Sequence, residues 1–141
     1  MKKIAKILSI PLILLMSVFC FAGCTFKTYK LVGIVANSTD TTITKLEDIT
    51  DETTKKYLSD SYDNMVTIKL KSNNTFSMSW TLVNNGLSVT YTQVGEYEIK
   101  NKENTIIFYT ERSNGEVMSN TQQYLNGAII FYDGSYFLAF K

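Results

Sequence analysis

A chain of 141 residues is long enough for one domain and no more, and it can bury a core without disulfide staples. It carries 14 basic and 13 acidic side chains, and once Lys2, Lys3 and Lys6 are set aside with the leader the formal charge is −2, which leaves no electrostatic footprint for nucleic acid. There is no histidine, and the two cysteines stand at positions 20 and 24, so Ser-His and Cys-His catalysis and the commonest metal sites are excluded.

Residues 1–23 read as an export signal. A basic start (Met1-Lys2-Lys3-Ile4-Ala5-Lys6) precedes an apolar run from Ile7 to Phe21, interrupted only by Ser9, Pro11, Ser17 and Cys20. The run is shorter than the ~20 residues that span a bilayer, and Pro11 sits inside it. Phe21-Ala22-Gly23-Cys24 then resembles the lipobox of bacterial lipoproteins, in which two small residues let a peptidase approach the backbone ahead of a cysteine. The resemblance implies that Cys24 carries lipid (palmitate and similar acyl chains) and becomes the new N-terminus. It implies an extracytoplasmic protein, lipid-anchored to the bacterial cell membrane. Acyl chains contribute about 0.8 kcal/mol per buried CH₂, so several make attachment durable. The competing reading of Cys24 is a free exported thiol. With Cys20 removed and Cys24 lipidated, no thiol remains for a disulfide, and stability rests on packing.

The mature chain begins with a tether, residues 24–28, and a domain over residues 29–141. A first strand is expected at Tyr29–Val35, with Tyr29, Leu31, Gly33 and Val35 on one face and Val32 and Ile34 making the other apolar too. Gly33 inside it marks a bend or a close backbone approach. After the polar loop Asn37–Thr42, Thr44-Lys45-Leu46-Glu47 matches a helix capping box, and Thr50-Asp51-Glu52 offers a second start. One short helix is placed at Asp51–Ser61, packed over an open end or flank of the sheet by a stripe of Leu46, Ile49, Tyr57, Leu58 and Tyr62.

From Met65 to Tyr109 apolar and polar residues alternate with period two, the pattern of strands with one buried face. Around the turn Ser72-Asn73-Asn74, Val66 pairs with Trp80, Ile68 with Met78 and Leu70 with Phe76. Asn85-Gly86 suits a type I′ hairpin that pairs Leu82 with Val89, Trp80 with Tyr91, Met78 with Gln93 and Phe76 with Gly95. The loop Asn101–Asn104 pairs Ile99 with Ile106 and Tyr97 with Phe108. The three hairpins point the same residues inward.

Past Tyr109 the pattern conflicts with itself. A tight hairpin at Asn114-Gly115 puts Val117, Ser119 and Thr121 inside. Type I′ signals at Asn126-Gly127 and Asp133-Gly134 instead link Thr121–Leu125, Ala128–Tyr132 and Ser135–Lys141, with Tyr124, Ile129, Phe131, Tyr136, Leu138 and Phe140 inside. The two sets differ by one residue, so a bulge or longer loop is expected near Ser113–Ser119. The last two strands carry Ile130, Phe137 and Ala139 on the second face, which something should cover.

The predicted fold is all-β with one short helix: an eight-stranded up-and-down antiparallel barrel. The pattern resembles the small lipocalin-like domains of bacterial lipoproteins. The features that carry the resemblance are Tyr29-Lys30-Leu31-Val32, Leu70 to Phe76 around a polar turn, Gly95-Glu96-Tyr97-Glu98-Ile99, and the ending Asp133-Gly134 to Leu138-Ala139-Phe140-Lys141.

The candidate site residues are the inward Met78, Trp80, Tyr91, Gln93 and Tyr97. They are either a filled core, as small barrels have, or an aromatic pocket with Gln93 as its polar handle. Two functions follow. One is a membrane-anchored protein whose barrel binds a small apolar or amphipathic ligand. The other is an envelope interaction module with a solid interior, using its outer face or helix against an envelope protein. No cofactor is implied. The inward face of the meander offers no pair of converging acids, so no enzyme is expected.

Overall fold

The computed structural model describes residues 25–141; the expected export signal and the expected lipidation site Cys24 lie outside the described residues. In chain order the elements are β1 (Phe26–Val35), β2 (Thr44–Lys45), a 3-10 turn (Leu46–Asp48), α1 (Glu52–Ser61), β3 (Val66–Lys71), β4 (Thr75–Asn84) and β5 (Leu87–Lys100). A second 3-10 turn (Asn101–Glu103), β6 (Thr105–Glu111), β7 (Val117–Leu125), β8 (Ala128–Tyr132) and β9 (Phe137–Phe140) complete the chain. All strands join one nine-stranded antiparallel sheet, and pairing of β1 with β9 closes it roughly into a ring. The ring runs through β1 and β3–β9, and two-residue β2 lies beside Gly33 and Ile34.

The three hairpins of the meander pair as their turns dictate. Val66 faces Trp80, Met78 faces Gln93, Phe76 faces Gly95 and Tyr97 faces Phe108. Asn85 and Gly86 have φ of 49° and 78°, and Asn126 and Gly127 have 50° and 75°, the doubly positive pattern of type I′. Between β6 and β7 the chain makes a longer loop than Asn114-Gly115 suggests. Gly115 N–H donates to Arg112 O and Arg112 N–H to Glu116 O, a type I turn closed by a left-handed glycine. That loop moves the register by one residue, so Ile106, Phe108 and Thr110 face Gln122, Asn120 and Met118, and Val117, Ser119 and Thr121 are not on the inner face.

Three other local readings need correction. Thr44 begins no helix: Thr44 and Lys45 pair with β1, and the following 3-10 turn has no side-chain cap. Asp51 supplies the cap instead, accepting from Thr54 N–H at 2.7 Å. Asp133-Gly134 is not a type I′ turn, because Asp133 uses its carboxylate to accept from the N–H groups of Ser135 and Tyr136, and the loop opens to four residues between Tyr132 and Phe137. The first strand starts at Phe26, three residues ahead of Tyr29, so residues 26–28 belong to the sheet.

The expected grouping of Tyr29, Leu31, Gly33 and Val35 on one face of β1, with Val32 and Ile34 on the other, fails at Val32. The register against β9 slips between Leu31 and Gly33, and this bulge turns the strand over. Tyr29, Leu31 and Ile34 therefore point into the main core, while Val32 and Val35 join a second cluster outside the ring. Gly33 is a close approach, since a β-carbon there would stand 2.0 Å from Thr44 O. The outer cluster buries Ala128, Ile130 and Ala139 under Ile43 and Phe137, so the segment leading into β2 covers the second face of the last strands. The main core, with Ile68, Leu70, Phe76, Ile106, Phe108, Ile129 and Phe140, fills the ring toward the chain start. Leu58 of α1, fully buried, joins it from the other end with Ile49.

Candidate functional site: an open-ended cleft

Connectivity gives the ring two unlike ends. The chain start and the turns at 72–74, 101–104 and 126–127 share one; α1 and the turns at 85–86, 112–116 and 133–136 share the other. At the first end the strands are laced together all the way round. At the helix end they are not. Strand β5 pairs with β4 from Leu87 to Glu96 but with β6 only from Glu96 to Lys100. Strand β7 pairs with β6 from Val117 but with β8 only from Gln123 to Leu125. Two hairpin arms, β4–β5 and β6–β7, thus project past the laced part of the ring, and the space between and beneath them is a cleft.

Period-two alternation along β4 grades one face from core to mouth. Phe76 is buried, Met78 and Trp80 are half-buried, and Leu82 at the tip is 57% exposed. The opposite face carries hydroxyls that bond across the arm, Ser79 to Thr92 at 3.0 Å and Thr81 to Thr90 at 2.9 Å. The cleft has two lobes that share Met78 and Phe131. The larger, about 260 Å³, is walled by Val66, Ile68, Trp80, Leu138 and Phe140, with Tyr62, Tyr132 and Asp133 at its rim. The smaller, about 90 Å³, lies between the arms and is lined by Gln93, Thr110 and Asn120 over Phe76 and Phe108. An apolar chamber therefore opens beside two amides and a hydroxyl.

The rim is fixed by a carboxylate. Tyr57 and Tyr62 hydroxyls donate to Asp133 Oδ2 at 3.0 and 2.9 Å, and Ser135 and Tyr136 N–H groups donate to Oδ1 at 2.8 Å each. Burial works to raise the Asp133 pKa, but the bonds from the Tyr136 and Ser135 amides and the two hydroxyls outweigh it and hold the carboxyl below its usual range. The same neighbourhood, burial first and then the bonds to Tyr57 and Asp133, pushes the Tyr62 phenol well above its ordinary value. Thr54 and Tyr136 hydroxyls lie 2.9 Å apart, and the Tyr57 ring meets those of Tyr62 and Tyr136 at 6.0 and 5.9 Å. α1 is so pinned to the β8–β9 loop beside the mouth.

Of the five sequence-nominated residues, Met78, Trp80 and Gln93 line the cleft. Tyr91 stacks on Trp80 with ring centroids 5.8 Å apart and planes at 20°, but it is 48% exposed and stands on the arm above the chamber. Gln93 is exposed at the gap between the arms, not a buried amide. Tyr97 is not part of the cleft. Its hydroxyl donates to Lys71 O at 2.8 Å at the laced end, where it borders a separate shallow hollow with Phe26, Leu70 and Ile99. Four residues from Gln93 to Tyr97 are ~13 Å of strand, so the register already places them at different ends. Phe131 and Tyr62, already on the inward set and the helix stripe of the sequence reading, line the cleft with Thr110 of β6 and with Asn120, whose strand register the sequence left open.

Comparison of the chain with protein-family models, with curated proteins and with solved structures finds no match.

Proposed function

We propose that this chain is an extracytoplasmic lipoprotein, anchored to a bacterial cell membrane through Cys24, whose lipocalin-like barrel binds a small apolar or amphipathic ligand in the open-ended cleft. The observation that carries the reading is an apolar lobe of about 260 Å³ and a polar lobe of about 90 Å³ that lie side by side against Met78 and Phe131. The apolar lobe lies just below the ~300–1,000 Å³ range of small-molecule sites, and its polar neighbour suits an acyl chain or ring system with one hydrogen-bonding group. The closed circuit of β1 and β3–β9 supports the barrel, and Phe21-Ala22-Gly23-Cys24 after an apolar leader supports the anchor. Binding fits the site better than catalysis. Asp133 is the one carboxylate lining either lobe, and its hydrogen bonds keep it ionised, whereas paired-acid chemistry needs a second acid with a raised pKa.

Trp80 is the chain's single tryptophan and lines the apolar lobe, so its emission reports occupancy directly. Titration with fatty acids of graded length and with sterol-like and haem-like compounds should give a saturable change for at least one class. Val66→Phe, which fills the lobe from its wall, should abolish that change while the protein still melts cooperatively. An emission that no compound alters, beside native mass spectra of bare protein from its own host, would overturn the ligand reading. Labelling with a clickable fatty acid tests the anchor: Cys24→Ser should lose the label carried by wild type.

One observation favours a non-enzymatic envelope-interaction module as the second reading. The β4–β5 arm exposes Leu82, Val83, Leu87 and Val89, with Leu87 at 74%. A protein partner gripping that arm would be released by Leu87→Lys without any change in Trp80 titrations.

A further inference from the structure

We propose that the laced end of the ring is a docking face for an anionic lipid bilayer. The inference takes its orientation from the anchor reading: Cys24 immediately precedes Thr25, and β1 starts at that end with Phe26, so lipid on Cys24 holds this end at the membrane.

The near-zero charge of the whole chain conceals a separation along the ring axis. The laced half carries Lys27, Lys69, Lys71, Lys100 and Lys102, with Lys30 and Lys141 beside them, against Asp40, Glu96, Glu98 and Glu103. The helix end carries nine carboxylates, six of them between Glu47 and Asp63, against Lys45, Lys55, Lys56 and Arg112. The ion pairs among the described residues, Lys45–Glu47, Lys56–Asp60 and Arg112–Glu116, all lie at the helix end, and none involves the five lysines. An apolar element sits among them. Phe26 is 61% exposed, and Lys69 Nζ lies 5.4 Å from its ring centroid. Lys27 stands in the mouth of the end with Nζ 4.6 Å from the Tyr29 ring, beside the hollow that Phe26, Lys71 and Tyr97 border. Exposed lysines around one exposed aromatic match a surface of phosphate headgroups over acyl chains. The acidic opposite end is repelled by that surface, so charge and tether impose the same orientation.

The test places the full chain on vesicles of phosphatidylcholine alone or mixed with phosphatidylglycerol, with sedimentation and amide hydrogen exchange as readouts. On anionic vesicles the turns at 72–74 and 101–104 should exchange at least roughly fivefold more slowly than on neutral ones, the factor one lysine near an anionic surface supplies. High salt should remove the difference. The variant Lys69→Gln/Lys71→Gln/Lys100→Gln/Lys102→Gln, all four outside the buried core, should melt like wild type and show no difference. Pelleting with both vesicle types but equal exchange on them would overturn the docking face alone. Protein left in the supernatant from both would overturn docking and anchor together.

Discussion

Gly95 lies against the carbonyl oxygen of Tyr109, so closely that a β-carbon there would stand 2.0 Å from it and 2.9 Å from the Phe76 ring. This is the point at which β5 leaves β6, one residue before their last pair, Glu96 with Tyr109. Gly95→Ala should therefore push apart the two strands that bound the cleft. We expect a loss of about 1–3 kcal/mol, the usual cost of overpacking, seen as a lower urea midpoint with little change in slope.

Asp133 should shape the acid limb of stability. Its folded pKa lies below the ordinary carboxylate value of ~3.9, so the stabilisation is fully present above that value and is lost as pH falls through the lower folded one. Asp51, lowered by its bonds to Thr54, acts in the same direction. Melting temperatures from pH 6 to pH 2 should fall less steeply for Asp133→Asn than for wild type, with the Asp51 part of the slope retained. Equal slopes would mean that the hydrogen bonds to the Asp133 carboxylate, those from the Tyr136 and Ser135 amides first, do not hold in solution.

Thr105 offers the opposite kind of change. Its hydroxyl is buried without a hydrogen-bond partner, where β6 begins between Lys100 and Gln123. Thr105→Val keeps the shape and β-branching and removes the unsatisfied group. Stability should rise by about 1 kcal/mol, measured as a higher melting temperature.

Gln93→Leu separates binding from folding. The side chain is exposed between the arms, so its loss should alter stability by less than about 0.5 kcal/mol. If its amide holds the polar group of a ligand in the apolar lobe, removing one hydrogen bond should weaken binding by roughly three- to tenfold. Trp80 titrations of the two proteins give the ratio, and an unchanged affinity would assign the polar lobe to Asn120 and Thr110 alone.

How far the sequence carried the fold depends on where the constraints are local. Asn85-Gly86 and the Ser72–Asn74 turn fix their own hairpins, and large residues at every second position left one register for Val66, Trp80 and Gln93. The conflict past Tyr109 was itself legible, and the Arg112–Glu116 loop resolves it where it was expected. Three features were not legible because their causes lie far away in the chain. The bulge at Val32 answers to β9, the clamp of α1 onto the Asp133 carboxylate answers to Tyr57 and Tyr62, and the parting of β5 from β6 depends on contact between Gly95 and Tyr109. The candidate site inherited that gap. Alternation identified Met78 and Trp80 as inward, but it gives no depth along the axis, so Tyr97 was grouped with residues at the opposite end.

The two hairpin arms also change what the ring's strand count means. In a fully laced cylinder, strand number and stagger together dictate the bore. Here that rule governs only the half near the chain start, because beyond Glu96 no lateral hydrogen bonds tie β5 to β6, and above Gln123 none tie β7 to β8. The width of the other half is set by the twist of two separate ribbons. The molecule is built like a collet, with a solid collar at one end and, at the other, jaws whose gape the strand count does not dictate.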